Sequence, residues 1–398
     1  MRIGADPPVE LTYCTNVHPG ESWADTLAAL AKHLPAIKQQ VAPDRPFGVG
    51  LRLSAAAAQS LAEPEALDSF RAFLADHDLY VFTLNGFPFG QFHGTRVKEA
   101  VYRPDWRDPA RLAYTNRLAD LLAALLPDGM AGSISTVPGA FKAELRDDAD
   151  VTRMADGMLR HLAHLARIEA ASGRTIRLAL EPEPCCFLET IEETIRFFED
   201  HLFSSRAAGL LASEAGLPPT AAQVFIREHI GVCFDVCHAA VEFEAEDVFD
   251  RLAAAGILIP KLQLSSALRL RAVNGDAGRL LAPFDDGVYL HQVVERRAGT
   301  LRRFADLSPA LAALDADGGA REWRVHFHVP VFLDELGDFS TTQDYLKAVI
   351  ARQRDAPISS HLEVETYTWN VLPEAYRQSD LAADIGRELA WVRRELAA

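Results

Sequence analysis

Short β-rich apolar runs bounded by Gly, Pro, Asn or Ser recur along the whole chain, and each is followed by a segment with helical spacing. The first run is ELTYCTNV. After it Trp23, Leu27, Leu30, Leu34 and Ile37 fall at alternating four- and three-residue steps, one face of an amphipathic helix. Further strand candidates are FGVGLRLS, LYVFTLNGFPFG, GSISTVPG, TIRLALEPEP, IGVCFDVCHAA, PKLQLSSAL, WRVHFHVPVF and SSHLEVETYTW. Helical spacing returns between them, as in ARLAYTNRLADLLAALL, VTRMADGMLRHLAHLARIEAAS and TTQDYLKAVIARQRD. The last opens with Thr341 and Asp344 at capping-box spacing.

Strand alternating with helix predicts a parallel sheet in an α/β fold. No G-x-G-x-x-G or P-loop follows a strand, which disfavours a nucleotide-binding doubly wound sheet and favours a (β/α)8 TIM barrel. Residues 1–398 read as one such domain. Nine strand candidates are one too many, however. An insertion over residues 269–322, containing GVYLHQVVERRAGTLRRFADL, reads as a hairpin or a strand and helix at the barrel mouth. Either KLQLSS or HFHVPVF is then the seventh barrel strand.

Composition narrows the function classes. With 49% hydrophobic and 24% charged residues in 398, the chain is that of a globular enzyme or binding protein. A formal charge of -16 argues against tracking a nucleic-acid backbone. No window is apolar enough for a membrane span, the first residues show no leader pattern, and a cytoplasmic location is the expectation. Five cysteines without a C-x-x-C pair point to reduced, packed thiols. An assembly of identical copies is compatible with all of this.

In a barrel the chemistry sits where strands end. LALEPEP ends on Glu181 and Glu183, CFDVCHAA on Asp235 and His238, KLQLSS on Gln263 and Ser265, VHFHVP on His326 and His328, and HLEVETY on His361, Glu363 and Glu365. Alternation along a strand places Ala179 and Glu181 inward and Leu178 and Leu180 outward. Carboxylates, an amide and imidazoles converging from successive strands suit one divalent cation, Mn, Mg or Zn. By position, His18, Asn85, His326, His328 and Trp369 are candidates for substrate binding. Phe87, Phe89, Phe92 and Tyr367 are candidate walls for a ligand more apolar than a bare sugar. Arg52, Lys142 and Arg269 could meet an anion.

The order Glu in LALEPEP, Asp followed three later by His in FDVCHAA, Gln in KLQLSS and Glu in HLEVE resembles the xylose-isomerase-like TIM barrels of the sugar isomerase/epimerase group. LTYCTNVHPGESW, HFHVPVF and EVETYTWNVLP together look like its EboE branch of metabolite-traffic proteins from secondary-metabolite clusters. The resemblance implies Glu181, Asp235, Gln263 and Glu363 as metal ligands, with His238 at the substrate or behind the ligands. The extra HFHVP run and the doubled acid EVE leave His328 and Glu365 as alternate ligands.

The chemistry so implied is aldose–ketose isomerisation or epimerisation of a small carbonyl or polyhydroxy compound. Glu181, Glu363, Glu365 and His238 are the candidate catalytic groups. Two other readings compete: a non-catalytic metabolite carrier that keeps the metal site, and an endonuclease-IV-like phosphodiesterase. The latter would want more metal-binding histidines and a basic surface.

Overall fold

The computed structural model describes residues 1–4, 8–273, 275–285, 287–314, 320–372 and 380–398. The first strands are β1 (Arg2–Ile3), β2 (Val9–Tyr13), β3 (Phe47–Arg52), β4 (Leu79–Asn85) and β5 (Gly132–Thr136). Next come β6 (Ile176–Leu180), β7 (Ile230–Asp235), β8 (Leu258–Leu264), β9 (Ser266–Leu270), β10 (Val293–Arg297) and β11 (Thr300–Phe304). The last are β12 (Arg321–Val329), β13 (Glu335–Leu336), β14 (Phe339–Thr341) and β15 (His361–Val364).

Eight strands lie in the order β2-β15-β8-β7-β6-β5-β4-β3, every neighbouring pair parallel, and curl into a nearly closed barrel. KLQLSS is therefore the seventh barrel strand and HLEV the eighth. At the seam between β2 and β3 the ladder thins to one parallel bridge, Cys14 to Gly50. A side chain takes over there: Thr12 Oγ1 donates to the Gly48 carbonyl (2.7 Å) and accepts from Gly50 N–H (3.1 Å).

Helices cover the barrel because their apolar stripes match its outer face. In Trp23–Val41 the buried set is Trp23, Thr26, Leu30, Leu34, Ile37 and Val41, at helical spacing, and Ser22 caps the first turn from Asp25 N–H. The long helix Asp148–Ser172 begins under Asp147, whose side chain accepts from two backbone N–H groups, and ends on Gly173 in the left-handed region.

HFHVPVF belongs to a second, antiparallel sheet, ordered β11-β10-β12-β9-β14-β13. GVYLHQVVERRAGTLRRFADL forms the β10–β11 hairpin in it. One residue, Ser265, separates barrel strand β8 from β9, so this sheet grows directly out of the barrel's seventh strand. Thr341, expected to cap the following helix, ends β14; Thr342 is the cap, and Asp344 turns to Arg269 at 2.7 Å. No helix among the described residues is long and apolar enough to cross a membrane. All five cysteines are free, and all but the half-buried Cys185 are buried.

Candidate active site

Inward-facing positions stack in layers, as the pleat requires. Lowest lies a hydroxyl and ring layer, in which Ser133 joins Thr83 (2.8 Å) and His361 Nδ1 (2.9 Å) and Phe82 stands edge-on to His361. Above it Lys261 Nζ meets Glu363 Oε2 at 2.6 Å, both fully buried. Gly50 makes room for that pair, since a Cβ there would overlap the Glu363 carboxylate and the Tyr13 carbonyl.

The top layer is acidic. Glu181, just past β6, Asp235, ending β7, and Glu365, just past β15, bring carboxylate oxygens within 4.8 Å of one another. Asp235 caps the helix Val236–Val241: its Oδ1 accepts from His238 N–H (3.0 Å) and Ser265 Oγ (2.7 Å). The expected strand therefore stops at Asp235, and Cys237 lies on a helix. Glu365 Oε1 accepts from the amides of Asn16 (2.8 Å) and Asn85 (3.1 Å). Glu181 Oε2 and Asp235 Oδ2 are buried without a partner among the described residues.

His328, on β12, sits beside this cluster with its Nδ1 2.7 Å from the Glu365 carbonyl. A carbonyl only accepts, so Nδ1 carries the proton and Nε2, buried and without a partner among the described residues, keeps its lone pair. Asp235, His238 and His328 also place ligand atoms within 4.8 Å of one another.

Burial, then the Glu365 and Asp235 charges, raises Glu181 well above the usual carboxylate range. Burial, then Asp235 and Glu363, does the same to Glu365. Burial also pushes Asp235 upward, but His238, His328 and its hydrogen bonds outweigh that and leave it lowered. Buried acids that repel one another, with unpartnered oxygens and a free imidazole nitrogen, fit a divalent cation.

The remaining expected residues divide by depth. Asn85, His238 and His326 line a cavity above the acids, with Glu181 and Glu365 in its floor. Glu363 lies a layer below, against Lys261, and Gln263 beside it accepts from Cys233 Sγ at 3.1 Å. His18 is held outside the cavity by Tyr13 OH (2.8 Å) and a stacked His33. Trp369 Nε1 donates to Glu388 at 3.0 Å on the C-terminal helix Leu381–Ala397.

Phe87, Phe92 and Tyr367 are cavity walls, whereas Phe89 packs edge-on against Tyr114. Arg52 is spent on the carbonyls of Gly20 and Gly90, Lys142 on Glu189 and Glu193, and Arg269 on Glu322 and Asp344.

Sequence reasoning passed over Asn16, Tyr102, Tyr289 and Gln292, and gave Glu183 no role. Glu183 accepts from Tyr102 OH (2.6 Å) and Gln292 Nε2 (3.0 Å), and burial pushes it up to about 7. Its signal was present in LALEPEP, as the second acid of the run. Tyr289 and Gln292 come from the 269–322 segment, where period and spacing carry no barrel register.

No family model and no curated protein matches the sequence. Solved structures do. A xylose isomerase-like TIM barrel protein from Mycobacterium smegmatis in complex with magnesium aligns over 98% of this chain and 96% of its own, at 12% identity and a TM-score of 0.51. An L-ribulose 3-epimerase aligns over 98% and 94%, at 12% identity and a TM-score of 0.48. An IOLI protein with a binding zinc atom aligns over 97% of each chain, at 11% identity and a TM-score of 0.48. At such identities a likeness speaks for architecture alone. With the strand order and the site at the carboxyl ends of the strands, it shows that this chain has the fold of the xylose-isomerase-like TIM barrels.

Proposed function

We propose that the chain is a divalent-metal-dependent isomerase or epimerase of a small carbonyl or polyhydroxy metabolite. The observation that carries this reading is the floor of the cavity, where Glu181 and Asp235, clustered with Glu365, leave buried oxygens without a partner among the described residues. Glu181, Asp235 and Glu365 would hold the ion, with His328 Nε2 as a fourth donor. When bound, such an ion polarises a substrate oxygen and acidifies the neighbouring C–H.

The rest falls to the chain's own groups. Glu181 and Glu365 reach the cavity from the ends of β6 and β15, with two strands, β7 and β8, between them. One carboxylate can take a proton from the substrate carbon while the other returns it. Asn16 and Asn85 fix the Glu365 carboxylate by its Oε1 and so aim its other oxygen. The aromatic walls exclude water from the reacting carbon.

The test is exchange of substrate hydrogen with solvent. Metal-loaded protein in deuterated water is expected to place deuterium next to the carbonyl of a turned-over ketose or hydroxy-carbonyl compound, and Glu365→Gln to abolish it. Tight binding without exchange would overturn the reading in favour of the metabolite carrier that the EboE-like stretches suggest.

A further inference from the structure

Two unlike kinds of surface line the cavity. The floor is made of carboxylates and imidazoles, whereas Phe87, Phe92, Val97, Tyr289, Leu290 and Tyr367 make up much of the remaining lining. Of these, Phe92, Val97, Tyr289 and Tyr367 form a buried apolar cluster of their own, apart from the main core among the described residues. They come from the loop after β4, from the 269–322 segment and from the turn after β15. Hydroxyl groups laid on such a surface lose water and gain no hydrogen bond.

Three rings carry it. Phe92, Tyr289 and Tyr367 stand 5.1–5.3 Å apart, centre to centre, with their planes inclined by 47–70°. That is the edge-to-face spacing at which aromatic rings attract, and a further ring can extend the cluster, whereas a saturated chain gains only its buried area. The polar tips nearby are committed elsewhere. His93 Nε2 faces the Asn16 carbonyl, so its Nδ1 accepts, and Tyr289 OH donates to it at 3.0 Å. Tyr102 OH donates to Glu183 at 2.6 Å, and Lys98, which also lines the cavity, is held by Asp306 at 2.6 Å. What this wall offers a ligand is carbon.

The wall also lies close to the chemistry. The Tyr367 ring centre is 4.7 Å from that of His328, the fourth donor assigned to the ion. A ligand ring resting on Tyr367 is then attached near the reacting carbonyl, not at the far end of a long polyol.

We propose that the substrate is an aryl hydroxy-carbonyl compound, its aromatic ring seated against Phe92, Tyr289 and Tyr367 while its oxygens face the acidic floor. This rests on the isomerase or epimerase reading and narrows its substrate class. In the isomerisation one proton leaves the hydroxyl-bearing carbon, one is added at the carbonyl carbon, and the hydroxyl proton passes from one oxygen to the other, so no further reactant is needed.

Two probes isolate the ring. 2-Hydroxyacetophenone and dihydroxyacetone share a hydroxymethyl ketone and carry a phenyl or a hydroxymethyl on its other side. Binding of each to magnesium-loaded, full-length protein is measured by calorimetry, and exchange of the hydroxymethyl hydrogens with deuterated solvent by NMR. The phenyl compound is expected to bind at least about tenfold more tightly. Tyr289→Ala and Phe92→Ala should bring that ratio towards one, and Tyr289→Phe should keep it, because the hydroxyl serves His93. Equal or weaker binding of the phenyl compound, no binding of either probe, or a ratio undiminished in both alanine variants overturns the assignment. If neither alanine variant folds, wild-type protein deuterated at all side chains except Phe and Tyr decides. Its ring protons must show NOEs to the phenyl protons, and their absence overturns the assignment. Aryl-selective binding without exchange would instead remove the isomerase reading and leave the ligand class standing, and exchange without aryl preference does the reverse.

Discussion

Glu363 on β15 and Glu365 just past its end stand two residues apart and are both buried, yet they meet opposite fates. Glu363 is neutralised from within, by Lys261 at 2.6 Å. Glu365 meets no cation among the described residues; it accepts from the Asn16 and Asn85 amides and faces two more acids. A buried charge needs a partner. Where the chain supplies the partner the carboxylate is part of the scaffold, and where it does not the site is left for something that arrives from solution.

The comparison breaks most easily in the lower layer. Lys261→Met strands the Glu363 charge and is expected to cost about 3–5 kcal/mol of folding stability, read from urea denaturation at neutral pH. A loss below about 1 kcal/mol would mean that Glu363 is not held by Lys261 and is open to the cavity.

A third buried acid sharpens the contrast. Glu388 accepts from Thr366 Oγ1 (2.7 Å), Trp369 Nε1 (3.0 Å) and Val331 N–H (3.2 Å), yet burial still pushes it up to about 7. Its folded value lies above the unfolded one. The stability it contributes is thus complete below pH 4.5 and lost as pH rises through about 7. Glu388→Gln should flatten that dependence, so that the wild type loses on the order of 3 kcal/mol relative to the variant between pH 4.5 and 8. Parallel stability curves would contradict it.

In the upper layer the effects move from folding to binding. Glu365→Gln removes one of three mutually repelling carboxylates, so metal-free protein should unfold at the same or higher denaturant concentration. Its metal affinity should fall by more than the ~10–100-fold that loss of an outer-shell partner costs. Glu363→Gln should show the reverse pattern, with folding damaged and the metal count unchanged in whatever folds. The smallest effect belongs to Asn85→Ala, which frees Glu365 from one of its two amides. Roughly a tenfold loss of metal affinity, measured by competition with a chelator, is expected without a change in stoichiometry.

The barrel was legible because period-two runs and helical stripes are local signals, and eight of the nine candidate strands form it. KLQLSS and HFHVPVF could not be separated by pattern, since each is an apolar run ending in polar residues. What separates them is pairing, parallel to β7 and β15 for one and antiparallel to β9 and β10 for the other.

For the site, strand ends marked Glu181, Asp235, His238, Asn85 and His326, all of which meet at the cavity or its floor. Depth was not legible. Choosing between Glu363 and Glu365 needs the knowledge that Lys261 points at the first, a contact across two strands. His18 and Trp369 likewise follow strands, but one is drawn to Tyr13 and the other to Glu388.

His326 and His328 lie on β12, a strand paired on both sides, rather than on a free loop. Barrel enzymes commonly cover their sites with loops that open and close. Here part of the cover is laced by backbone hydrogen bonds into a sheet that starts one residue beyond the barrel. The imidazoles are thus set before any ligand arrives, and a guest must fit a mould already cast.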